Sequence, residues 1–349
     1  MITRVADHCF WLGRYLERTE STARHLQVTG TIALDAELPQ SRVWAPLVIV
    51  SGQEADFVDR FGRGSMGEPE IVQRYLALDL ENPVSLARSI AAARENARSI
   101  REVVSLEVWQ TINELYVYFQ SAEAKTAYGA QRDAFFGRVQ RAVQLGLGLV
   151  ESTMLHDTPL DFITLGVLLE RVSQTARLLD VEHHALAEAR ATHPVLETAL
   201  WLSLLRASSG FEAFMKRNRG IVTGAGVAAF LVKEPRLPRS VLHSTAHARR
   251  RLEALIGRGT AGGPEGPGER ALGRVAALER WLDALPPSAL EGDEVHRTLT
   301  HVVEEIHGVC NATGSELLGY GGASPCPRVS SGPRAPLRRP ATPPSPDPE

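Results

Sequence analysis

Residues 12–28, LGRYLERTESTARHLQV, return 153 positions later as LGVLLERVSQTARLLDV at residues 165–181. Ten of the seventeen aligned pairs are identical, among them Leu12/Leu165, Gly13/Gly166, Glu17/Glu170, Arg18/Arg171, Ala23/Ala176 and Arg24/Arg177. Chance gives about one or two in a chain this rich in Leu, Ala and Arg. No other feature restricts the architecture as much. The repeat predicts two related units of about 150 residues, packed about a pseudo-twofold axis.

The repeated segment reads as a helix. Leu12, Leu16, Thr19, Ala23 and Leu26 recur at spacings of four and three and form one apolar stripe, the core face. Glu17, Ser21 and Arg24 share a polar row, while Arg18 leaves the helix roughly 100° further round. Glu170, Gln174, Arg177 and Arg171 repeat the pattern. Glu17 and Arg18 are neighbours in sequence but diverge in direction, so each seeks a partner on another helix. If the two copies pack together, Glu17 meets Arg171 and Glu170 meets Arg18.

Elsewhere apolar positions recur with the same period and alternating β-branched runs are scarce, which predicts an all-α helical bundle. The longest predicted helices span 4–35, 83–104, 132–156, 160–191, 195–219, 238–256 and 293–313. Asn82-Pro83 and Glu68-Pro69 read as helix starts, as does Pro238, and Ser105 reads as an N-cap. The segment Gly257–Gly268, GRGTAGGPEGPG, reads as a flexible loop. Residues 321–349 hold nine of the 21 prolines and read as a disordered Pro/Arg-rich tail. The expected organisation is a helical domain over 1–320, with repeat one at about 1–150 and repeat two at about 151–320, followed by that tail.

A formal net charge of -3 with no basic stripe argues against nucleic-acid or membrane-surface binding. Cys9, Cys310 and Cys326 form no CxxC pair, so neither a disulfide framework nor a zinc site is indicated. Arg4, Asp7, Arg14 and Glu17 interrupt any signal-peptide core, and no window reaches the ~18 apolar residues of a membrane span. The expected setting is the cytoplasm.

The leading site candidates are the repeated Glu-Arg residues Glu17, Arg18 and Arg24, with Glu170, Arg171 and Arg177. Guanidiniums in a cleft suit a carboxylate or phosphate. The plainer reading is a buried, mutually satisfied charge network that fixes how the repeats dock. Arg94 and Arg98, on one helix with Glu95, Asn96 and Arg101, are a second candidate for anion binding, set against an ordinary solvated face. No metal site is expected: Glu304-x-x-His307 occurs once, and His243 and His247 lack the His-Glu-x-x-His context. Neither G-x-S-x-G nor a phosphate-binding Gly-Lys-Ser/Thr occurs, so no nucleophile or cofactor is assigned. Trp11, Trp44, Trp109, Trp201 and Trp281 read as core anchors.

In order along the chain, WLGRYLERTESTARHL (11–26), NPVSLARSI, ARENARSIRE, residues 109–116, residues 151–154, LLERVSQTARLLDV (168–181), residues 201–214 and FLVKEPRLPRSV (230–241) resemble the bacterial alpha-E domain family over about 1–315. That family is an all-helical domain with a recurring Glu-Arg motif. The resemblance implies an accessory protein associated with an ATP-grasp ligase-like protein, and often with a transglutaminase-like protein, in synthesis or modification of a peptide or amide-linked product. It assigns the helical domain no activity of its own. The expected function is therefore a non-catalytic partner of an amide or peptide ligase. The alternatives are a hydrolase or transferase using Glu17 or Glu170 for acid/base work, and a free-standing structural protein. Accessibility separates them: buried, paired groups favour the scaffold, and groups lining an open pocket favour a site.

Overall fold

The computed structural model describes residues 3–35, 38–190, 194–259 and 266–320. The described residues are helical throughout, with no strand. The helices are α1 (Thr3–Asp35), α2 (Gln40–Ser51), α3 (Glu54–Phe61), α4 (Pro69–Ala77), α5 (Leu86–Ser99), α6 (Leu106–Gln120), α7 (Ala122–Ala130) and α8 (Arg132–Thr153). They continue as α9 (Thr158–Arg190), α10 (Pro194–Ala207), α11 (Phe211–Asn218), α12 (Gly224–Lys233), α13 (Val241–Gly259), α14 (Glu269–Ala284) and α15 (Glu294–Leu317). The tail 321–349 lies outside the described residues, as do residues 260–265 of the segment expected as a loop, whereas residues 257–259 of that segment are the last of α13. No described helix is long and apolar enough to cross a membrane.

Two helices of 33 residues, α1 and α9, cross at the centre. Around α1 the chain closes a ring in which α1 packs on α5, α5 on α6, α6 on α8 and α8 on α1. Around α9 a second ring runs α9, α13, α14, α15 and back to α9. The smaller helices fill the flanks, with α2 and α10 each touching both α1 and α9.

Glycine sets how closely the central helices approach. A Cβ on Gly13 would stand 2.0 Å from the carbonyl oxygen of Ile163, and one on Gly166 would stand 2.1 Å from that of Phe10. Only a residue without a side chain lets helix backbones meet this way, with glycine Cα–H groups facing carbonyls. The two contacts are reciprocal, since Phe10 precedes Gly13 by the same three positions that separate Ile163 from Gly166.

The apolar stripe of Leu12, Leu16, Thr19, Ala23 and Leu26 is buried, as its period requires. The polar row is buried too: Arg14, Glu17, Arg18, Glu20, Ser21 and Arg24 all lie inside. Charges buried in the middle of α1 must be paired internally, and Arg14, Glu17, Arg18, Glu20 and Arg24 each have an ion-pair partner.

Other expectations need correction. The helix after Asn82-Pro83 begins later, because Ser85 is its N-cap: Ser85 Oγ accepts the Arg88 N–H and donates to the Asp79 carbonyl at 2.6 Å. Asn82 instead shapes the preceding turn, accepting the Val84 N–H and donating to the Tyr75 carbonyl. The helix expected from Pro238 starts at Val241, where Ser240 Oγ accepts the His243 N–H and donates to the Glu234 carbonyl, also at 2.6 Å. Pro69 and Ser105 take the expected first-turn and capping positions. The single helix expected over 195–219 is two, α10 and α11. Ser209 turns left-handed with φ 49°, and the Gly210 N–H closes onto the Leu205 carbonyl, a C-terminal cap that stops α10. Trp44 and Trp201 are core anchors, whereas Trp11, Trp109 and Trp281 are half-buried at its edge.

Candidate functional site

At the crossing, α1 and α9 exchange their charges. Glu170 on α9 accepts two hydrogen bonds from Arg18 on α1, from Nε at 2.7 Å and Nη2 at 3.0 Å. Reciprocally, Glu17 accepts Arg171 Nη2 at 2.8 Å and Nε at 3.2 Å. Forked guanidinium–carboxylate pairing fixes direction as well as distance. These are the partners that the helical wheel calls for.

Each glutamate also has a second arginine, and there the reciprocity ends. Glu170 accepts Arg14 Nε at 2.8 Å and Nη2 at 2.7 Å, with Gln174 Nε2 at 3.2 Å. Glu17 accepts Arg239 Nη1 at 2.7 Å, from the turn between α12 and α13. Arg239 bridges onward, donating Nη2 to Glu20 at 2.6 Å. Glu20 is also paired with Arg24 and accepts Gln144 Nε2 at 3.0 Å. Arg24 Nη1 donates at 2.6 Å to Ser209 Oγ, the left-handed residue that ends α10.

Burial alone would push both carboxyls up. The Arg171 and Arg239 guanidiniums outweigh it and hold Glu17 down at about 2. Arg18 and Arg14 likewise hold Glu170 far below the usual carboxylate range. Arg24 is lowered well below its usual value, first by burial and then by Arg239. Across the cluster, Glu17, Glu20 and Glu170 face Arg14, Arg18, Arg24, Arg171 and Arg239. A chain of overall charge -3 thus has an excess of guanidinium at its centre.

On the Glu170 side the network borders a cleft of about 60 Å³ between α1, α2 and α9. Its lining includes Arg14, Arg18, His25, Glu170, Gln174 and Arg177. Five motif residues take part in two buried clusters at the crossing, Arg18 and Glu170 in one and Glu17, Arg24 and Arg171 in the other, and Arg177 lines the cleft beside the first.

Arg94 and Arg98 lie elsewhere. Arg94 stacks over Tyr116 with its guanidinium carbon 4.7 Å from the ring centroid, and donates to Asn113. Arg98 is a surface residue paired with Glu95 on its own helix. Cys9 is buried, and its thiol is pushed up to about 12 by burial, then by Asp157 and Glu102. His243 and His247 are half-buried with rings stacked 3.8 Å apart, each near a backbone carbonyl through Nδ1. No group of three or more His, Cys, Asp or Glu among the described residues could hold a metal ion.

Arg14, Glu20, His25 and Arg239 are the site residues that sequence reasoning missed. Arg14 and Glu20 lie within the repeat but align with Val167 and Ser173, so identity between copies does not mark them. Arg239 belongs to the segment PRLPRSV, whose only signal is a basic residue directly before a serine cap.

The fold and site define an all-helical protein organised around buried Glu–Arg pairs. Residues 1–316 match the Alpha-E family, described as a predicted alpha-helical domain with a conserved ER motif, and the chain belongs to that family. Among curated proteins it is similar to uncharacterized proteins of Mycobacterium tuberculosis and Mycobacterium bovis, 24% identical over 278 residues, or 75% of this chain. The matched region is 31% of those relatives' length, so the chain spans about a third of them. No solved structure matches it.

Proposed function

We propose that the chain is a non-catalytic helical accessory protein of an ATP-grasp amide or peptide ligase system, built by duplication of one helical unit about a pseudo-twofold axis. One observation carries the non-catalytic part: Glu17 and Glu170 are each enclosed and held by two arginines. A general base needs a proton affinity near the working pH. These carboxyls are pushed the other way, which speaks against acid/base work by the motif.

Duplication is supported by the reciprocal glycine contacts, the reciprocal Glu–Arg pairs and the two rings of four helices. It is also supported by matched serine caps: Ser85 and Ser240 each reach back six residues to a carbonyl at 2.6 Å. The ligase association rests on the family resemblance. The mycobacterial relatives are in keeping with it, since their matched region belongs to a much longer chain, as expected of a module working beside another.

Co-expression with an ATP-grasp ligase-like protein from the same genome, followed by size-exclusion chromatography and an ATP-turnover assay, tests the reading. The expected result is a stable complex, or ligase turnover that depends on this chain. Separate elution together with unchanged turnover overturns it.

A further inference from the structure

The cleft beside Glu170 has the chemistry of an anion receptor. Three guanidiniums, Arg14, Arg18 and Arg177, line it against the single carboxylate of Glu170. Glu170 itself is fully engaged, with Oε1 accepting Arg18 and Gln174 and Oε2 accepting Arg14 and Arg18. Its oxygens are thus taken up by Arg14, Arg18 and Gln174.

Two donors there are unspent. Arg18 gives Nε and Nη2 to Glu170, while its Nη1 makes no hydrogen bond with any described residue. His25 is only 7% exposed, lines the cleft, and has no hydrogen-bond partner among the described residues. With no partner among the described residues, the imidazole is left to a group that enters the cleft. Burial, then Arg24 and Arg239, lower its pKa to about 3, so the free ring is neutral and offers one N–H.

We propose that this cleft binds a small oxyanion, a carboxylate or phosphate group, with Arg18 and His25 as direct donors and Arg177 on the cleft wall. A volume of about 60 Å³ holds several waters and thus the head of such a group, with the remainder of a larger ligand outside. The C-terminal end of α2 also borders the cleft, which by itself disfavours an anion. Its Val48 and Ile49 carbonyls are taken up by Ser51 Oγ and the Gly52 N–H, leaving the guanidiniums dominant. The site stands on this geometry whether or not a ligase partner exists.

The test is titration of the full chain with inorganic phosphate and, separately, with N-acetylglycine, read by calorimetry and by the His25 ring resonances. Saturable binding with a Kd on the order of 1 mM or tighter is expected for at least one probe, with the His25 signals moving along the same isotherm. Folded Arg177→Gln and His25→Gln variants should each bind at least about tenfold more weakly, while Arg98→Gln, remote from the cleft, binds as the parent does. Tighter phosphate binding assigns a phosphoryl group, and tighter N-acetylglycine binding assigns a terminal carboxylate. The proposal is overturned if neither probe saturates, if binding survives both cleft variants, or if the His25 resonances stay fixed while a probe binds elsewhere.

Discussion

The reciprocal glycine contact makes a quantitative demand on the crossing of α1 and α9. Alanine at Gly13 puts a methyl 2.0 Å from the Ile163 carbonyl oxygen, where ordinary contact begins at 3.4 Å, so the helices must part by about 1.4 Å. The obstacle is helical backbone, which cannot swing aside as a side chain does. Overpacking of this kind costs about 1–3 kcal/mol, and the upper end is expected here because the same opening stretches the Arg18–Glu170 and Arg171–Glu17 pairs. Gly166→Ala requires about 1.3 Å of nearly the same movement. Once the first methyl has opened the crossing, the second meets little further resistance. Each single variant should therefore lose about 3 kcal/mol, and the double variant scarcely more, giving a coupling of about that size. Urea denaturation followed by helical circular dichroism measures all three against the parent at unchanged slope. Single losses under about 0.5 kcal/mol would refute the steric argument, and an additive double variant would refute the shared opening.

Glu17, at 4.5 when free and about 2 in the fold, contributes roughly 3 kcal/mol that is fully present above pH 4.5 and lost as pH falls through about 2. Glu17→Gln removes that dependence and leaves Arg171 and Arg239 short of a charge, a loss of about 3–5 kcal/mol at neutral pH. Denaturation midpoints between pH 7 and pH 2.5 should fall more steeply for the parent, and parallel decline would count against the pairing. Arg239→Met should cost about 2 kcal/mol by urea denaturation, since Glu17 and Glu20 keep other partners, whereas Arg236→Met, on an exposed side chain, should cost about 0.5 kcal/mol or less. Cys9 and Cys310 should resist iodoacetamide at pH 8 until the chain unfolds, and peptide-level mass spectrometry showing rapid native labelling of either would contradict their burial.

Sequence legibility followed repetition and periodicity. The helical class, the stripe of Leu12 to Leu26 and the pairing of Glu17 with Arg171 and Glu170 with Arg18 are readable because each depends on residues within a regular helix or on the repeat itself. What escaped depends on tertiary position alone. Nothing in the polarity of Glu20 or Arg24 marks α1 as enclosed, because a buried ion pair has the same composition as a solvated one. Arg239 lies 222 residues from Glu17, on a turn with no periodic signal. His25 reads as an ordinary polar residue until α2 and α9 close around it. The break after Ala207 was hidden because Ser209 adopts a left-handed turn usually given to glycine or asparagine.

That long separation of partners also has a consequence in time. A ribosome adding about 5–20 residues per second makes Glu17 roughly 10–45 s before Arg239 emerges to meet it. Until α9 is made, the first ring of helices holds an inner helix in which Arg14, Glu17 and Arg18 lack their carboxylate and guanidinium partners, so α1 must stay hydrated or be sheltered. A nascent chain halted after residue 153 is therefore expected to be cut readily within α1 by a protease that leaves the full-length protein intact. The arrival of α9 and then of Arg239, rather than the formation of individual helices, is the moment at which the charged centre closes.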